Sequence, residues 1–169
     1  MGSVTVEKNF IGARWSKLLI NSAFSGLSIV TGATFGEVSK FKPSRKVAQR
    51  IIKECIDVSN AAGIKIEPVQ GHDIAKLFDY KGAVKKAISF AIIPIAMKKH
   101  ASLISSMLQD IRKGKKCEID FINGVVCEYG KKYKVNTPFN DKTVEIVHRI
   151  EDGEFPPRME NISLYDNIF

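Results

Sequence analysis

An all-α fold is the class this sequence predicts, on three observations. Apolar residues recur at helical spacing in segment after segment, alternation of period two never persists beyond a few residues, and Gly or Pro punctuates the periodic stretches. Gly12 to Val30 reads as a first long helix closed by Thr31-Gly32, with a short helical piece over Gly36 to Lys40. Pro43-Ser44 opens the next helix, in which Val47, Ile51, Ile52 and Cys55 fall on one face before a stop at Gly63.

Past a loop spanning Pro68 to Gly71, the pattern gives a short helix over Asp73 to Phe78 and another from Ala83, which Pro94 must kink or break. The apolar run Ala87 to Met97 is far shorter than the roughly 20 residues of a membrane span, so it reads as a buried helix. Ser102 to Lys113 forms an amphipathic helix with Ile104, Leu108 and Ile111 inward, and Gly114 separates it from a helix through Glu118 to Lys132. Thr137 supplies an N-cap and Pro138 the first position of a helix to Glu151. The tail after Gly153, with Pro156-Pro157, reads as extended chain lying over the surface.

With 169 residues, 44% of them hydrophobic and 26% charged, the chain corresponds to one soluble domain able to bury a core. Met1-Gly2-Ser3 lacks the build of a signal peptide and reads as an added leader, which leaves 4–169 as the domain. Cys55, Cys117 and Cys127 lie far apart without a Cys-x-x-Cys pair or a histidine at ligand spacing. That argues against a disulfide scaffold and a metal site and fits a reducing cytoplasm. The formal charge of +8 is spread along the chain rather than gathered with interleaved aromatics. It therefore suits a small acid or a phosphorylated cofactor better than nucleic acid. No Gly-x-Gly-x-x-Gly, Walker-type loop or Gly-x-Ser-x-Gly elbow is present.

Between Trp15 and Gly36 the one charged residue is Lys17. Lys17, Asn21, Ser25 and Ser28 fall at i, i+4, i+8 and i+11, a single polar stripe on an otherwise apolar helix. Such a lysine can donate a proton or bind an anion; the plainer alternative is a side chain snorkelling to solvent. Ser106 lies on what reads as a solvated face, and Glu118 sits at a helix start where the dipole favours a carboxylate, so spacing alone singles out neither. His72, His100 and His148 have no Asp or Cys partner at local spacing and are assigned no role.

Trp15-Ser16-Lys17-Leu18-Leu19-Ile20-Asn21 resembles the Trp-x-Lys-Leu-x-x-Asn motif of the ketopantoate reductases. Ser105-Ser106-Met107-Leu108-Gln109-Asp110-Ile111 followed by Glu118-Ile119-Asp120-Phe121-Ile122-Asn123-Gly124 resembles their second signature, in the same order. The resemblance runs from about Val4 to Glu151. It implies the helical C-terminal domain of the 6-phosphogluconate dehydrogenase superfamily, joined in the full enzyme to an N-terminal Rossmann domain that is missing here. It implies NADPH as cofactor, a small 2-oxo acid as substrate (ketopantoate reduced to pantoate) and a homodimer as one assembly. By the same resemblance Lys17 is the general acid toward the keto oxygen, Asn21, Ser25 and Ser106 are substrate contacts, and Glu118 is a contact to the cofactor. Two positions depart from the family pattern. Ser25 and Phe35 stand where asparagines are common, and a ring cannot replace an amide's hydrogen bonds, so a related 2-oxo acid is an equally good substrate. The competing reading is a helical dimerisation or binding module without catalysis.

Overall fold

The computed structural model describes residues 9–69 and 72–169, so the expected leader at 1–3, the start of the domain at Val4 and the loop residues Gln70 and Gly71 lie outside the described residues. Among the described residues the chain is built from α-helices: α1 Phe10–Thr31, α2 Phe35–Lys40, α3 Lys42–Ala61, α4 Ile74–Phe78, α5 Ala83–Ala96, α6 Ser106–Arg112, α7 Ile119–Tyr133 and α8 Pro138–Glu151. Two 3₁₀ segments, Lys98–His100 and Met159–Ile168, complete them.

α1 is the axis. From Ser22 to Thr31 every one of its residues is buried, because α3, α7, α8, α6 and the C-terminal 3₁₀ segment all pack around it. A helix enclosed on all sides must be apolar or small all round, which explains why this stretch carries no charge. Gly26 lets the neighbours approach: a Cβ there would stand 2.9 Å from both Asn123 Oδ1 on α7 and Thr143 Cγ2 on α8. The helix ends where Gly32 takes a left-handed φ of 68°, a conformation glycine adopts without a Cβ penalty.

Most expected elements form within a few residues of their predicted ends, and four features differ. The helix expected from Ser102 starts at Ser106. Ser105 caps it by accepting the Met107 N–H (3.2 Å), while Ala101 and Leu103 give their carbonyls to the Gly36 and Phe35 N–H groups and so leave the helix register. Thr137 stands at the N-cap of α8 as expected, but its side chain makes no capping bond: its hydroxyl donates to Asp141, and the N–H groups of Phe139 and Asn140 go instead to the Glu54 carboxylate of α3 at 2.9 and 3.0 Å. The expected buried helix is α5, yet within it only Ser89 and Ile93 are buried, and Val84, Ile88 and Ile95 are exposed. Pro94 falls in its last turn, where a missing N–H costs one terminal bond, and the helix ends two residues later. The tail is not wholly extended: after Pro156-Pro157 it coils into the 3₁₀ segment. Asn161 Nδ2 donates to Val30 O (3.0 Å) and Tyr165 is fully buried against Phe139. His148 pairs with Asp120 and Glu151, each at 3.0 Å.

Glu54 anchors a buried polar chain. Asn140 Nδ2 donates to its carboxylate (2.7 Å), Asn123 Nδ2 donates to Asn140 Oδ1 (3.0 Å) and to Ser22 O (3.1 Å), and α3, α8, α7 and α1 are thereby linked. Burial pushes the Glu54 carboxyl up to about 7, against the three donors that favour its charge. An acid whose pKa is raised on folding contributes stability that is fully present below its unfolded value near 4.5 and is lost as pH rises through about 7. Glu54→Gln is therefore expected to lower Tm, with the gap to the unsubstituted protein narrowing from pH 5 to pH 8 in thermal melts. A gap that widens with pH would show that the donors outweigh burial. Glu54→Ala, which orphans three buried N–H groups at about 1–3 kcal/mol each, is expected to lower Tm by at least roughly 6 °C at about 2–4 °C per kcal/mol.

Candidate active site

The first turns of α1 fix the wall of a large cavity. Asn9 caps the helix, accepting the Gly12 N–H at 3.1 Å, and its amide donates to Lys65 O (2.8 Å) and Glu67 Oε1 (2.6 Å). Ser16 Oγ donates to Glu67 O at 2.6 Å, and Gly12 lies so close that a Cβ would meet Lys65 O at 2.1 Å. The segment after α3 is thus held along α1. It leads to Val69 and His72, which exchange two backbone hydrogen bonds of 2.9 Å, and then to α4, capped by Asp73 through the Lys76 N–H (2.9 Å).

A second set of contacts fixes the opposite side. The Phe35 N–H donates to Leu103 O (2.9 Å) and the Gly36 N–H to Ala101 O (3.0 Å), so the start of α2 is docked on the link between the Lys98–His100 turn and α6. A Cβ on Gly36 would stand 2.7 Å from Ala101 O, so this approach requires glycine. Glu37, in a capping box with Thr34, closes the same turn of α2, and its hydrogen bonds to Thr34 hold its carboxyl below the usual range.

Between these walls lies a cavity of about 780 Å³, within the range of small-molecule sites. Lys17 and Asn21, one turn apart on α1, both border it, the lysine exposed and the asparagine half-buried. Farther along α1 the wall turns aromatic: Phe24, nearly fully buried, packs on Phe35 with ring centroids 5.8 Å apart at 42°. Fifteen of the 21 lining residues are apolar, and the six others are Lys17, Asn21, His72, Asp73, Lys99 and His100. Two lysines against one carboxylate, itself engaged as the α4 cap, give the cavity a positive field suited to an acid.

The polar stripe of α1 divides. Lys17 and Asn21 open on the cavity, whereas Ser28 is buried, donating to Ala33 O (2.7 Å) and accepting the Ser105 N–H (3.5 Å), which makes it a brace between segments. Ser25 is buried and outside the cavity lining. Ser106, the first residue of α6, and Glu118, the N-cap of α7, are exposed and also stand apart from that lining. Lys17 and Asn21 therefore share one cavity, and Ser25, Ser106 and Glu118 do not join them there. His72, Lys99 and His100, which local spacing did not single out, do share it; they come from distant segments, and their only signal is long-range packing. Phe35, noted as a departure from the family pattern, lines it as well.

Residues 9–151 match the family described as ketopantoate reductase PanE/ApbA C terminal. A 2-dehydropantoate 2-reductase of Pyrococcus horikoshii is 29% identical over 140 residues, covering 80% of this chain and 38% of the relative. One from Streptococcus pyogenes is 26% identical, covering 88% and 43%. Among solved structures, a PanE/ApbA family ketopantoate reductase from Ralstonia eutropha superposes with a TM-score of 0.68 at 26% identity, over 88% of this chain and 43% of that one. D-mandelate dehydrogenase in a ternary structure with NADH and anilino(oxo)acetate superposes equally well, TM-score 0.68 at 25% identity over 87% and 43%. The chain spans about two fifths of the length of the curated relatives it matches. The match of fold, motif order and family model over residues 9–151 places this chain in the ketopantoate reductase C-terminal domain family.

Proposed function

We propose that this chain is the substrate-binding and proton-donating half of an NADPH-dependent reductase acting on ketopantoate or a close 2-oxo acid. The observation that carries the reading is the pair Lys17 and Asn21, one helical turn apart and bordering the same apolar cavity. Its dinucleotide-binding half is an N-terminal Rossmann domain, a reading supported by the two-fifths coverage of the relatives. The structure of D-mandelate dehydrogenase with NADH supports the broader class, a nicotinamide-dependent 2-oxo acid reductase.

A reduced nicotinamide, when bound, would supply the hydride that reaches the carbonyl carbon. The C=O electron pair then moves onto oxygen, and Lys17, as ammonium, transfers a proton there and stabilises the developing charge. Asn21, with an amide that both donates and accepts, orients the same oxygen or the neighbouring hydroxyl. Ser25, one turn beyond Asn21 but buried outside the cavity lining, is given no contact with substrate in this reading. In the same proposal Ser106 meets the substrate and Glu118 the cofactor; both are exposed, at the starts of α6 and α7. The phosphates have no glycine-rich cradle in this sequence, so that domain must hold them.

A docking or dimerisation module is the second reading, favoured by the exposed apolar residues Val84, Ile88 and Ile95 on α5. It gives Lys17 no chemical role, so one substitution separates the two.

In the enzyme that pairs this chain with its dinucleotide domain, Lys17→Ala is expected to lower kcat by about two to four orders of magnitude, the range of a general-acid contribution, with NADPH affinity nearly unchanged. A loss under fivefold in steady-state assays would return Lys17 to a solvated surface residue. The 169-residue chain by itself is expected neither to bind NADPH tightly nor to oxidise it with ketopantoate. Cofactor fluorescence titration and absorbance at the reduced-nicotinamide band check this, and measurable turnover would overturn it.

A further inference from the structure

The wall that α1 gives the cavity is chemically divided, apart from His72, Asp73, Lys99 and His100, which reach it from other segments. Lys17 and Asn21 stand at one end, and Phe24, three residues beyond Asn21 on the same side of the helix, begins an aromatic stretch that Phe35 continues. Ile20, Ile92 and Leu103 border the same space. Of these, Phe35 and Leu103 are held by a direct backbone bond, Phe35 N–H to Leu103 O at 2.9 Å, so their side of the cavity is built rather than incidental. Ketopantoate has ten heavy atoms and, at no more than a water's share of about 30 Å³ each, fills at most roughly 300 Å³. The cavity is about 780 Å³. Beside the nicotinamide ring of the proposed cofactor, nine heavy atoms and at most roughly 270 Å³ on the same scale, such an acid still leaves about 200 Å³ unfilled, and its terminal hydroxyl meets Phe24 and Phe35 rings that cannot pair with it.

We infer, resting on the proposed 2-oxo acid chemistry, that the substrate of this site carries a large, wholly apolar side chain, aryl or branched alkyl, lodged between Phe24, Phe35 and Leu103 with its 2-oxo carboxylate at the Lys17 end. Apolar burial and ring contacts then contribute binding that a hydroxylated side chain forfeits through an unpaired polar group. Phe35 and Leu103 set specificity. They act on which acid is accepted and not on the proton transfer, so their substitution moves the ratio between substrates more than the rate with any saturating one.

The test compares kcat/KM for 2-oxo-3-phenylpropanoate, 4-methyl-2-oxopentanoate and ketopantoate in the enzyme that contains this chain. The two apolar acids are expected to exceed ketopantoate by at least tenfold, and Phe35→Asn to shift that ratio toward ketopantoate by about ten- to a hundredfold. Leu103→Asn, at a position already 48% exposed and so tolerant of a polar side chain, is expected to shift it the same way by a smaller factor. Far-UV circular dichroism melts confirm that each variant is folded. Should Phe35→Asn fail to fold, the Leu103→Asn ratio and that of the unsubstituted enzyme decide the matter. Reduction of ketopantoate at least as efficient as that of the apolar acids, unmoved by these substitutions, would overturn the inference while leaving the proposed reductase intact. Absence of turnover with every 2-oxo acid would remove both.

Discussion

Enclosing α1 is the constraint on which the remainder of the structure rests. A helix surrounded by α3, α7, α8 and the C-terminal 3₁₀ segment cannot carry charge along its buried half, and the elements around it must still satisfy their own helix ends away from water. Glu54 resolves the hardest of these cases. Its carboxylate takes two N–H groups at the start of α8, where the helix dipole also favours negative charge, and through Asn140 and Asn123 the bonding reaches Ser22 on α1. A buried acid with three donors is costly to desolvate and costly to lose, which makes it a device for fixing one packing arrangement rather than a source of large net stability.

Helix content and order were legible because each helix of α1, α3, α7 and α8 announces itself by periodicity and by a residue with a local role, such as Gly32 at a left-handed terminus or Pro138 in a first turn. Legibility failed where a nonlocal partner competes with a local one. Thr137 has the residue type of a cap, but its place is taken by a carboxylate 83 positions earlier in the chain, and no window around α8 contains that information. The start of α6 shifted for the same reason, since Ala101 and Leu103 are held by α2. For α5 the error was different: an apolar run says that a helix is rich in hydrophobic residues, not which neighbour covers them, and here Val84, Ile88 and Ile95 stay exposed among the described residues.

The candidate site shows the same division. Lys17 and Asn21 were readable because an i, i+4 pair on an apolar helix is a local pattern, and the family resemblance gave it a chemical meaning. The pattern overreached by four residues and more: continuing the stripe to Ser28 led into a buried brace, because α1 leaves the cavity and enters the core along that face. His72 reaches the cavity by way of a two-residue bridge, and Lys99 and His100 by way of a 3₁₀ turn, neither of which projects a periodic signal. Phe35 lies between these cases. Its residue type marked it as a departure, but its bearing on the cavity depends on the hydrogen bond to Leu103.

The exposure of Lys17 has a mechanistic meaning on the proposed function. An ammonium facing solvent is already hydrated, and proton donation from it to a keto oxygen would have to compete with water for the same developing charge. Most of the cavity lining is apolar, and on the proposed function its open side is closed by the second domain. A dinucleotide-binding domain that carries the hydride would do both jobs in one motion, bringing the reductant to the carbonyl carbon and excluding water from the lysine that protonates the oxygen. On that reading the exposed position of Lys17 suits a division of labour between two domains. The proposed acid then stays accessible for substrate entry, because the dryness that would make it effective would come only with closure of the second domain.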